Sequence, residues 1–519
     1  MSSGSIFKKK HLLLVRCQNR SYYKLNSCVC WIISPDMSEE ENFIYGTFPE
    51  NFKWCTATSA FQIEGGTTED GRGRSIWDTF CQISGNIIDN STADISCDSY
   101  HRYMEDVSLL KNLGVKFYRF SISWSRVIPE PTKGVKVNEA GIRYYNNLIN
   151  SLIAVGISPI VTLYHFDLPQ DIQDEGGFLN EDLLVKCFKE YAEVCFQNFG
   201  DRVKYWATFN EPRQICTLGY GLGLMAPAVH SPKTGIYQAA HSLLKAHATV
   251  WHLYNDNYRI HQNGKVFIVL CSEYVMAKDP GNDSDVEAAD LAMQFKLGWF
   301  AHPIYINGDY PSAMKNKVLL LSQQEGLKNS RLPEFSEEDK KFLKGTSDIF
   351  GMNVYTARLA EYQQRDNPPS QPSLDLDEIV KLSVDPKWTD CGSIWLYIIP
   401  SSMRKILNWI KKEYNSPEVL LTETGFMDKT GSLDDEHRVN SFKLYINEVL
   451  KAVTLDECNV IGFTAWSLLD NFEWNFGYSE KFGLVNVDFS DENRTRKPKK
   501  SYYYYAEIIK NNGFLKPPK

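Results

Sequence analysis

Two glutamates in this sequence stand where a pair of carboxylates could do chemistry. Glu211 closely follows the apolar run Val203–Phe209, and Glu423 directly follows the run Val419–Thr422. Each run predicts a buried strand, and in a parallel α/β barrel the carboxyl ends of the strands form the rim that carries the active site. Two carboxylates that face each other across one pocket are the groups that hydrolysis of a glycosidic bond requires.

The elements that must position these glutamates alternate along the chain. Short β-branched runs predict strands, and stretches whose apolar residues recur every three or four positions predict helices. The predicted strands are Trp54–Ile63, Lys116–Ser121, Ser158–Tyr164, Val203–Phe209, Lys265–Ser272, Ile349–Val354, Glu418–Thr422 and Val460–Trp466. The predicted helices are Tyr100–Leu113, Glu139–Val155, Glu181–Phe199, Gly235–Ile260 and Leu433–Val453. Eight such units predict an α/β fold, a single (β/α)8 TIM barrel with long βα loops.

Residues 47–519 are predicted to form this barrel as one domain, since no repeat or linker divides them. Two stretches, Ile306–Gly345 and Glu361–Trp395, are predicted to be irregular, and loops of that length usually form lids or walls of a site. Residues 1–46 carry no motif, and their apolar segments are too short for a typical signal peptide. Their status as an N-terminal extension is open between a disordered segment and a gene-model artefact, with Met37 as an alternative start.

The composition argues against several classes of protein. A net charge of −8 gives no basic footprint for nucleic acid. No apolar run approaches the roughly 20 residues that a membrane span needs. The ten histidines lack paired ligand spacing, and the glycine-rich segments precede no phosphate-binding helix, so neither a metal nor a cofactor is expected. The expected partner is a small-molecule substrate, and the sequence does not indicate an oligomeric state.

Longer motifs extend this interpretation to a known family. These motifs are Phe61–Gly66, Ser75–Phe80, Tyr118–Trp124, His165–Gln170 and Trp466–Trp474. With them, the chain from about Phe48 to Phe514 resembles the β-glucosidases of glycoside hydrolase family 1, most of all the animal cytosolic broad-specificity and lactase-type enzymes. The resemblance implies a retaining exo-β-glycosidase that hydrolyses β-glucosides, and also β-galactosides or β-fucosides, through a covalent glycosyl-enzyme intermediate.

The resemblance also implies roles for individual residues. Glu211 would be the general acid/base and Glu423 the nucleophile. Arg119 would keep Glu423 ionised and Tyr355 would hydrogen-bond it, with further support from the two asparagines of this site. The implied supporting residues are thus Arg119, Tyr355, Asn210 and Asn353, and the implied sugar-binding residues are Gln62, His165, Asn210, Trp466, Glu473, Trp474 and Phe482.

Outside these motifs, three of the residues would have ordinary structural explanations. Arg119 would form a structural ion pair, Tyr355 would be a packed core ring, and His165 would be a core histidine with satisfied hydrogen bonds. The motifs favour the functional interpretation in each case. In relatives that cleave 6-phosphorylated glycosides, a serine stands at the position of Glu473 and a lysine and a tyrosine hold the phosphate. Glu473, Glu480 and Phe482 occupy those places here, which predicts an unphosphorylated sugar.

One departure from the family pattern keeps a second function open. Thr424 stands where the family nearly always has asparagine, directly after the expected nucleophile. The alternative is a catalytically weak or inactive klotho-like binding protein on the same barrel, but such relatives lose a catalytic carboxylate and this chain keeps Glu211 and Glu423. Thioglucosidases of the family replace the acid by glutamine, so Glu211 argues against that activity.

The cysteines and the glycosylation triplets indicate different compartments. Of the twelve cysteines, three lie within residues 1–46, and the other nine show no pairing rhythm, which favours free thiols and a cytoplasmic location. Asn90, Asn282 and Asn493 each begin a triplet that matches a glycosylation acceptor. A secreted or lysosomal location therefore remains an alternative.

Overall fold

Eight parallel strands close into a barrel in the computed structural model, which describes residues 43–363, 377 and 380–516. In chain order, strands β1 to β8 are Lys53–Ala57, Phe117–Ser121, Ser158–Tyr164, Tyr205–Asn210, Lys265–Cys271, Phe350–Asn353, Val419–Thr424 and Val460–Trp466. Each strand pairs in parallel with the next, and β8 pairs with β1 to complete the ring. The predicted (β/α)8 TIM barrel is confirmed.

The strands are apolar along most of their length because the barrel buries both of their faces. Side chains from five different strands and from the residue before β6 form one cluster, and each is at most 1% exposed. The cluster consists of Cys55, Ile160, Ala207, Phe267, Val269, Ile349 and Leu420. Strands that are covered by helices outside and packed inside lack the alternation of polar and apolar residues seen in half-exposed sheets.

Amphipathic helices cover the outside of the barrel. Helix Glu181–Phe199, for example, begins after Asn180, whose side chain accepts a hydrogen bond from the backbone N–H of Leu183, and it buries Phe188 and Tyr191. Other long helices are Ser99–Leu113, Glu139–Ala154, Gly235–Asn257, Asp283–Met293, Ser312–Gln324, Ser401–Glu413, Glu436–Thr454 and Lys500–Asn511. Shorter helices include Ala60–Ile63, Ile76–Cys81, Trp124–Val127, Gln170–Asp174, Pro212–Gln214, Arg259–Gln262, Trp299–Tyr305 and Glu337–Leu343. Two segments, Ile215–Gly221 and Gln294–Gly298, are π-helical.

Short strands outside the barrel join its loops and its ends. Ala357–Tyr362 pairs with both Tyr274–Ala277 and Val380–Ser383, and it forms a small sheet above β5 and β6. Gly46–Thr47 pairs antiparallel with Gly513–Phe514, so the two ends of the described barrel body lie side by side. Further two-stranded pairs are Thr389–Asp390 with Tyr397–Ile398 and Val485–Val487 with Arg496–Pro498.

Two of the predictions about elements are wrong. The predicted strand Trp54–Ile63 ends at Ala57, and Ala60–Ile63 is a short helix whose first N–H donates to the side chain of Ser121 at 2.7 Å. The stretch Ile306–Gly345 contains two helices, one of which starts at a capping box between Ser336 and Asp339. The predicted irregular stretch at 361–395 lies partly outside the described residues, and residues 1–42 of the predicted extension at 1–46 lie outside them.

The described part of the chain also has no helix that is both long and apolar enough to cross a bilayer.

Candidate active site

The two glutamates singled out in the sequence lie at the carboxyl rim of the barrel. Glu423 is the second-last residue of β7. Glu211 directly follows β4, and its backbone N–H donates to the carbonyl of Val269 at 2.9 Å. Strands β5 and β6 separate β4 from β7 on one side, and four strands separate them on the other. The two side chains therefore project from opposite parts of the rim toward the mouth of the barrel.

Glu211 has an unusual backbone conformation for a residue with a side chain. Its φ angle is 50°, in the left-handed region, and Pro212 begins a short helix immediately afterwards. Non-glycine residues in this region cost free energy and occur most often at functional sites. The sharp turn ends β4 at the rim, where the Glu211 carboxyl lies beside residues of β6.

Each carboxylate oxygen of Glu423 accepts one strong hydrogen bond. Arg119 on β2 donates from Nη1 to Oε1 at 2.6 Å, and Tyr355 donates its hydroxyl to Oε2 at 2.7 Å. Glu423 is only 4% exposed and Arg119 only 1%. A buried carboxylate is costly unless a cation and hydrogen-bond donors compensate for its lost hydration. These two partners provide that compensation and leave Glu423 suited to act as an anionic nucleophile.

Glu211 lies in a different electrostatic environment. Its Oε1 accepts a hydrogen bond from Nδ2 of Asn353 at 2.8 Å. Removal from water and, as the second cause, the negative charge of Glu423 raise the pKa of Glu211 to about 7, although Asn353, Arg213 and Arg119 act in the opposite direction. A carboxyl with this pKa carries its proton for much of the time near neutral pH. It could therefore donate that proton to a leaving group and later take one from water.

Asn210 connects the surroundings of both glutamates. Its Oδ1 accepts hydrogen bonds from Arg119 Nη2 at 2.6 Å and from Asn353 Nδ2 at 3.2 Å. Its Nδ2 must then be the donor in the 3.1 Å contact with His165 Nε2. This network assigns the single proton of a neutral His165 ring to Nδ1. Burial, together with the charge of Arg119, lowers the pKa of His165 well below its usual value and keeps the ring neutral.

His165 Nδ1 is buried and contacts no hydrogen-bond acceptor among the described residues. Since the network places a proton on this atom, it is a donor available to an incoming ligand. A sugar hydroxyl can accept such a bond. The structure therefore brings His165 together with Asn210, Arg119 and Glu423.

Gln62 and Glu473 form a second polar group at the mouth. Gln62 Nε2 donates to the side chain of Asn471 and to the carbonyl of Phe472, both at 3.0 Å, and lies 3.3 Å from Glu473 Oε2. Ser59 donates to Gln62 Oε1 at 2.6 Å. Burial raises the pKa of Glu473 well above its usual value, and the charges of Glu480 and Glu423 add to this effect. A protonated Glu473 could both donate to and accept from adjacent sugar hydroxyls.

Aromatic rings line the site next to these polar groups. The ring of His165 is nearly parallel to the indoles of Trp466 and Trp474, with centroids 5.8 Å and 6.0 Å away. Phe61 is also nearly parallel to Trp474, with ring centroids 6.1 Å apart. Flat aromatic faces suit the apolar C–H face of a pyranose. Phe482 is 2% exposed and packs in a cluster with Trp466, and the ring of Tyr355 packs against the same cluster.

A comparison with known protein families decides the affiliation of this chain. The model of glycosyl hydrolase family 1 matches residues 44–514, which is most of the sequence and all eight barrel strands. The chain belongs to glycosyl hydrolase family 1. The resemblance stated from the sequence motifs is thereby confirmed.

Individual family 1 proteins are similar along nearly the whole chain. Human lactase/phlorizin hydrolase is 48% identical over 93% of this chain, but this chain spans only 25% of that protein's length. Human cytosolic beta-glucosidase is 45% identical, and the match covers 90% of this chain and 98% of that protein. The solved structure of aphid myrosinase is 45% identical, with a TM-score of 0.86, and the match covers 90% of this chain and all of that one.

Thr424, which departs from the family 1 pattern, is the last residue of β7. Its side chain is fully buried, and its hydroxyl donates to the carbonyl of the preceding Glu423 at 2.9 Å. The hydroxyl is therefore satisfied locally. The contacts of Arg119 and Tyr355 to the Glu423 carboxylate are formed with threonine at this position.

Sequence reasoning missed several polar residues that support the family 1 site. Thr162 Oγ1 accepts from Arg119 Nε at 3.1 Å, and Thr422 Oγ1 donates to Asn353 Oδ1 at 2.7 Å. Both threonines interrupt otherwise apolar strand runs, and a polar residue inside such a run is a signal that could have identified them. Glu273 was missed as well, because it follows β5 in a stretch without a motif.

Proposed function

We propose that this chain is a retaining exo-β-glycosidase that hydrolyses unphosphorylated β-glucosides, with β-galactosides and β-fucosides as further substrates. One observation carries this proposal, namely the unequal environments of the two rim carboxyls. Glu423 accepts hydrogen bonds from a cation and a hydroxyl, whereas the pKa of Glu211 is raised to about 7. A pair of carboxyls with one ionised and one protonated is what glycoside hydrolysis with a general acid requires.

In the first step, a carboxylate oxygen of Glu423 attacks the anomeric carbon of the substrate. The bond from that carbon to the aglycone oxygen breaks, and the proton of Glu211 moves to this oxygen. The products are the free aglycone alcohol and a sugar joined to Glu423 by an ester bond, with Glu211 now ionised. This step uses Glu211 as an acid and Glu423 as a nucleophile.

In the second step, Glu211 takes a proton from water while the water oxygen attacks the anomeric carbon. The ester bond breaks and Glu423 leaves as a carboxylate, so two inversions give net retention. Esterification removes the negative charge of Glu423, which is one of the two causes that raise the pKa of Glu211. The pKa of Glu211 therefore falls in the intermediate, which matches its change of role from acid to base.

The same proposal assigns the sugar to the polar and aromatic groups around the mouth. Hydrogen-bond partners for the hydroxyls would be Gln62, His165, Asn210 and Glu473, with Trp474 and Trp466 against the C–H face and Phe482 behind Trp466. Phosphate at C6 would add negative charge beside the carboxyls of Glu473 and Glu480, which supports an unphosphorylated sugar.

We also propose that residues 47–519 form the catalytic domain, that residues 1–46 are an extension to it, and that the protein acts in the cytoplasm. The nine cysteines of the described residues are free thiols, and eight of them are buried. Burial as small apolar side chains suits a reducing compartment. Fluorescence localisation of the full-length chain and of a variant that starts at Met37 would test the location and the part played by the extension.

The first experiment is hydrolysis of 4-nitrophenyl β-D-glucoside by wild-type protein beside Glu423→Gln, from acid to alkaline pH. Release that the variant abolishes, with the anomer of the product retained by NMR, would establish the reaction. Aryl β-cellobioside tests the exo mode, since an exo enzyme releases glucose from the non-reducing end first. The β-galactoside, the β-fucoside and a 6-phospho-β-glucoside define the sugar.

The alternative function is a klotho-like binding protein on the same barrel. No release by folded wild-type protein on the glucoside, the galactoside and the fucoside would favour it, with Thr424→Asn as the first variant to test for recovered activity. The intact contacts of both glutamates support the enzyme.

A further inference from the structure

A buried cluster of charged residues lies near Glu211. Arg213, two residues after Glu211, donates from Nη2 to Glu273 Oε2 at 2.7 Å. Lys296 Nζ lies 2.9 Å from the other oxygen of Glu273. The side chains of Arg213, Glu273 and Lys296 are 10%, 16% and 3% exposed. This cluster belongs to none of the motifs that carry the proposed reaction.

The topology brings the cluster to the acid/base through neighbouring strands. Glu211 and Arg213 follow β4, and Glu273 follows the end of β5 by two residues. The backbone N–H of Glu211 donates to Val269 on β5, which fixes the two strand ends to each other. Lys296 lies in the π-helical segment Gln294–Gly298, which continues helix Asp283–Met293. Three separate elements thus place two cations and one anion beside the Glu211 segment.

The cluster is charged at neutral pH. Burial alone would raise the pKa of Glu273, but the charges of Arg213, Lys296 and Arg358 outweigh it and hold that pKa well below its usual value. Arg213 in turn acts to lower the pKa of Glu211. Because Glu273 is an anion fixed 2.7 Å from Arg213, it offsets part of the positive potential that Arg213 exerts on Glu211.

We propose that Arg213 and Glu273 are positioning residues that together fix the pH range in which Glu211 keeps its proton. The inference rests on the acid/base role proposed for Glu211. Neither residue touches the reacting atoms in this account. They act through their opposite charges. Arg213 favours the ionised form of Glu211, and Glu273 favours the protonated form.

Other charged and titratable groups also face Glu211, and the test must leave them unchanged. They come from β2, β5, β7, the segment after β6 and the loop after β8. These groups are Arg119, Cys271, Glu423, Tyr355 and Glu473. Arg213 and Glu273 also interact with Cys271, but burial raises the pKa of this thiol well above its usual value and keeps it neutral, so differences between the variants report on the pair.

The experiment is the pH dependence of kcat/KM on 4-nitrophenyl β-D-glucoside for wild-type, Glu273→Gln and Arg213→Gln proteins. Loss of the anion in Glu273→Gln favours ionised Glu211, so the midpoint of the basic limb moves to lower pH by about 0.5. Loss of the cation in Arg213→Gln moves it to higher pH by a similar amount. The double variant Arg213→Gln/Glu273→Gln returns toward the wild-type midpoint.

Glu418→Gln is the matched control, because it removes one negative charge at the opposite end of the barrel. Glu418 pairs with Lys265 at 2.6 Å, and both side chains are more than 40% exposed. The basic limb of the pH profile of Glu418→Gln should keep the wild-type midpoint. Circular dichroism and thermal melting show whether each variant is folded before its profile is compared.

Opposite shifts for the two single variants would support the proposal, and a purely structural role would lower kcat/KM without moving the limb. Unshifted limbs in active variants, or shifts in the same direction, would overturn it. If Glu273→Gln does not fold, Arg213→Gln and the charge-conserving Arg213→Lys decide: only the former raises the midpoint. Failure of the proposed function would be seen separately, as no hydrolysis by wild-type protein.

Discussion

Arg119 and Glu423 form an ion pair in which Nη1 lies 2.6 Å from Oε1, and both side chains are almost wholly buried. The same guanidinium donates from Nη2 to Asn210 at 2.6 Å, on the strand that leads to Glu211. One cation on β2 therefore links the carboxyl ends of β4 and β7, where the two glutamates lie. Such a two-armed arrangement depends on the planar fork of arginine.

Arg119→Lys should lower kcat by about 100-fold with a smaller change in KM, because a single ammonium cannot reach both Glu423 and Asn210 in the same geometry. Arg119→Met should reduce the free energy of unfolding by about 3–5 kcal/mol, since it leaves a buried carboxylate without its cation. Steady-state kinetics and urea denaturation measure the two effects. In a Glu423→Gln background, Arg119→Met should reduce the free energy of unfolding by less. An equal reduction in both backgrounds would contradict the ion-pair explanation.

Tyr355→Phe should lower kcat by about 10- to 100-fold, because a hydrogen bond to a charged group contributes about 1.5–3 kcal/mol and Glu423 Oε2 loses its 2.7 Å partner. Tyr305→Phe is the matched control. Its hydroxyl lies 2.9 Å from both Ser347 Oγ and the carbonyl oxygen of Ile349, which precedes the start of β6 at the other end of the barrel. The control should retain wild-type kcat, and a comparable loss there would mean that the effect is not local to the nucleophile.

Glu211→Gln should show a strong dependence on the leaving group. An alkyl β-glucoside needs its departing oxygen protonated, so its hydrolysis should fall by about 10²- to 10⁴-fold. A 2,4-dinitrophenyl β-glucoside departs without a proton and should lose far less in the step that forms the glycosyl-enzyme. Pre-steady-state measurement of phenolate release separates this step from the second one. Equal losses for both substrates would argue that Glu211 does not act as the acid.

The pH profile should have a basic limb near the pKa of Glu211, which is raised to about 7. Activity needs the protonated form of this carboxyl in the first step, so kcat/KM should fall as the pH rises through that value. The raised pKa also affects stability: the folded state binds the proton more tightly than the unfolded chain, so this contribution is present at acid pH and is lost as the pH rises from the unfolded value of about 4.5 through 7. Glu211→Gln should therefore have a higher Tm than wild type at pH 8 and a smaller advantage at pH 5.

The sequence predicted best what depends on strand ends. Glu211 and Glu423 each follow an apolar run, and a parallel barrel brings the ends of all such runs to one rim. The predicted residues around them, from Arg119 to Trp474, do gather at this rim, and their roles remain predictions. The strand prediction Trp54–Ile63 was wrong because Ala60–Ile63 is too short for periodicity to separate a helix from a strand.

Contacts between distant elements could not be predicted in the same way. The Arg213–Glu273–Lys296 cluster depends on the register between β4 and β5 and on a π-helical segment. Neither feature has a recognisable sequence pattern. The capping box at Ser336, in contrast, was visible in the sequence as a serine three residues before an acidic residue. Attention to that signal would have predicted the helix Glu337–Leu343 inside the stretch that was expected to be irregular.

The antiparallel pairing of Gly46–Thr47 with Gly513–Phe514 has a consequence for how this barrel can be built into larger chains. The pairing joins the ends of the described body near the amino end of β1, which is the face away from the rim. A designed connection between these two ends would run along that face and not across the rim. A circular permutant that joins residues 44 and 516 through a short linker and opens an exposed loop should keep its barrel, since the new junction only extends an existing pair of strands.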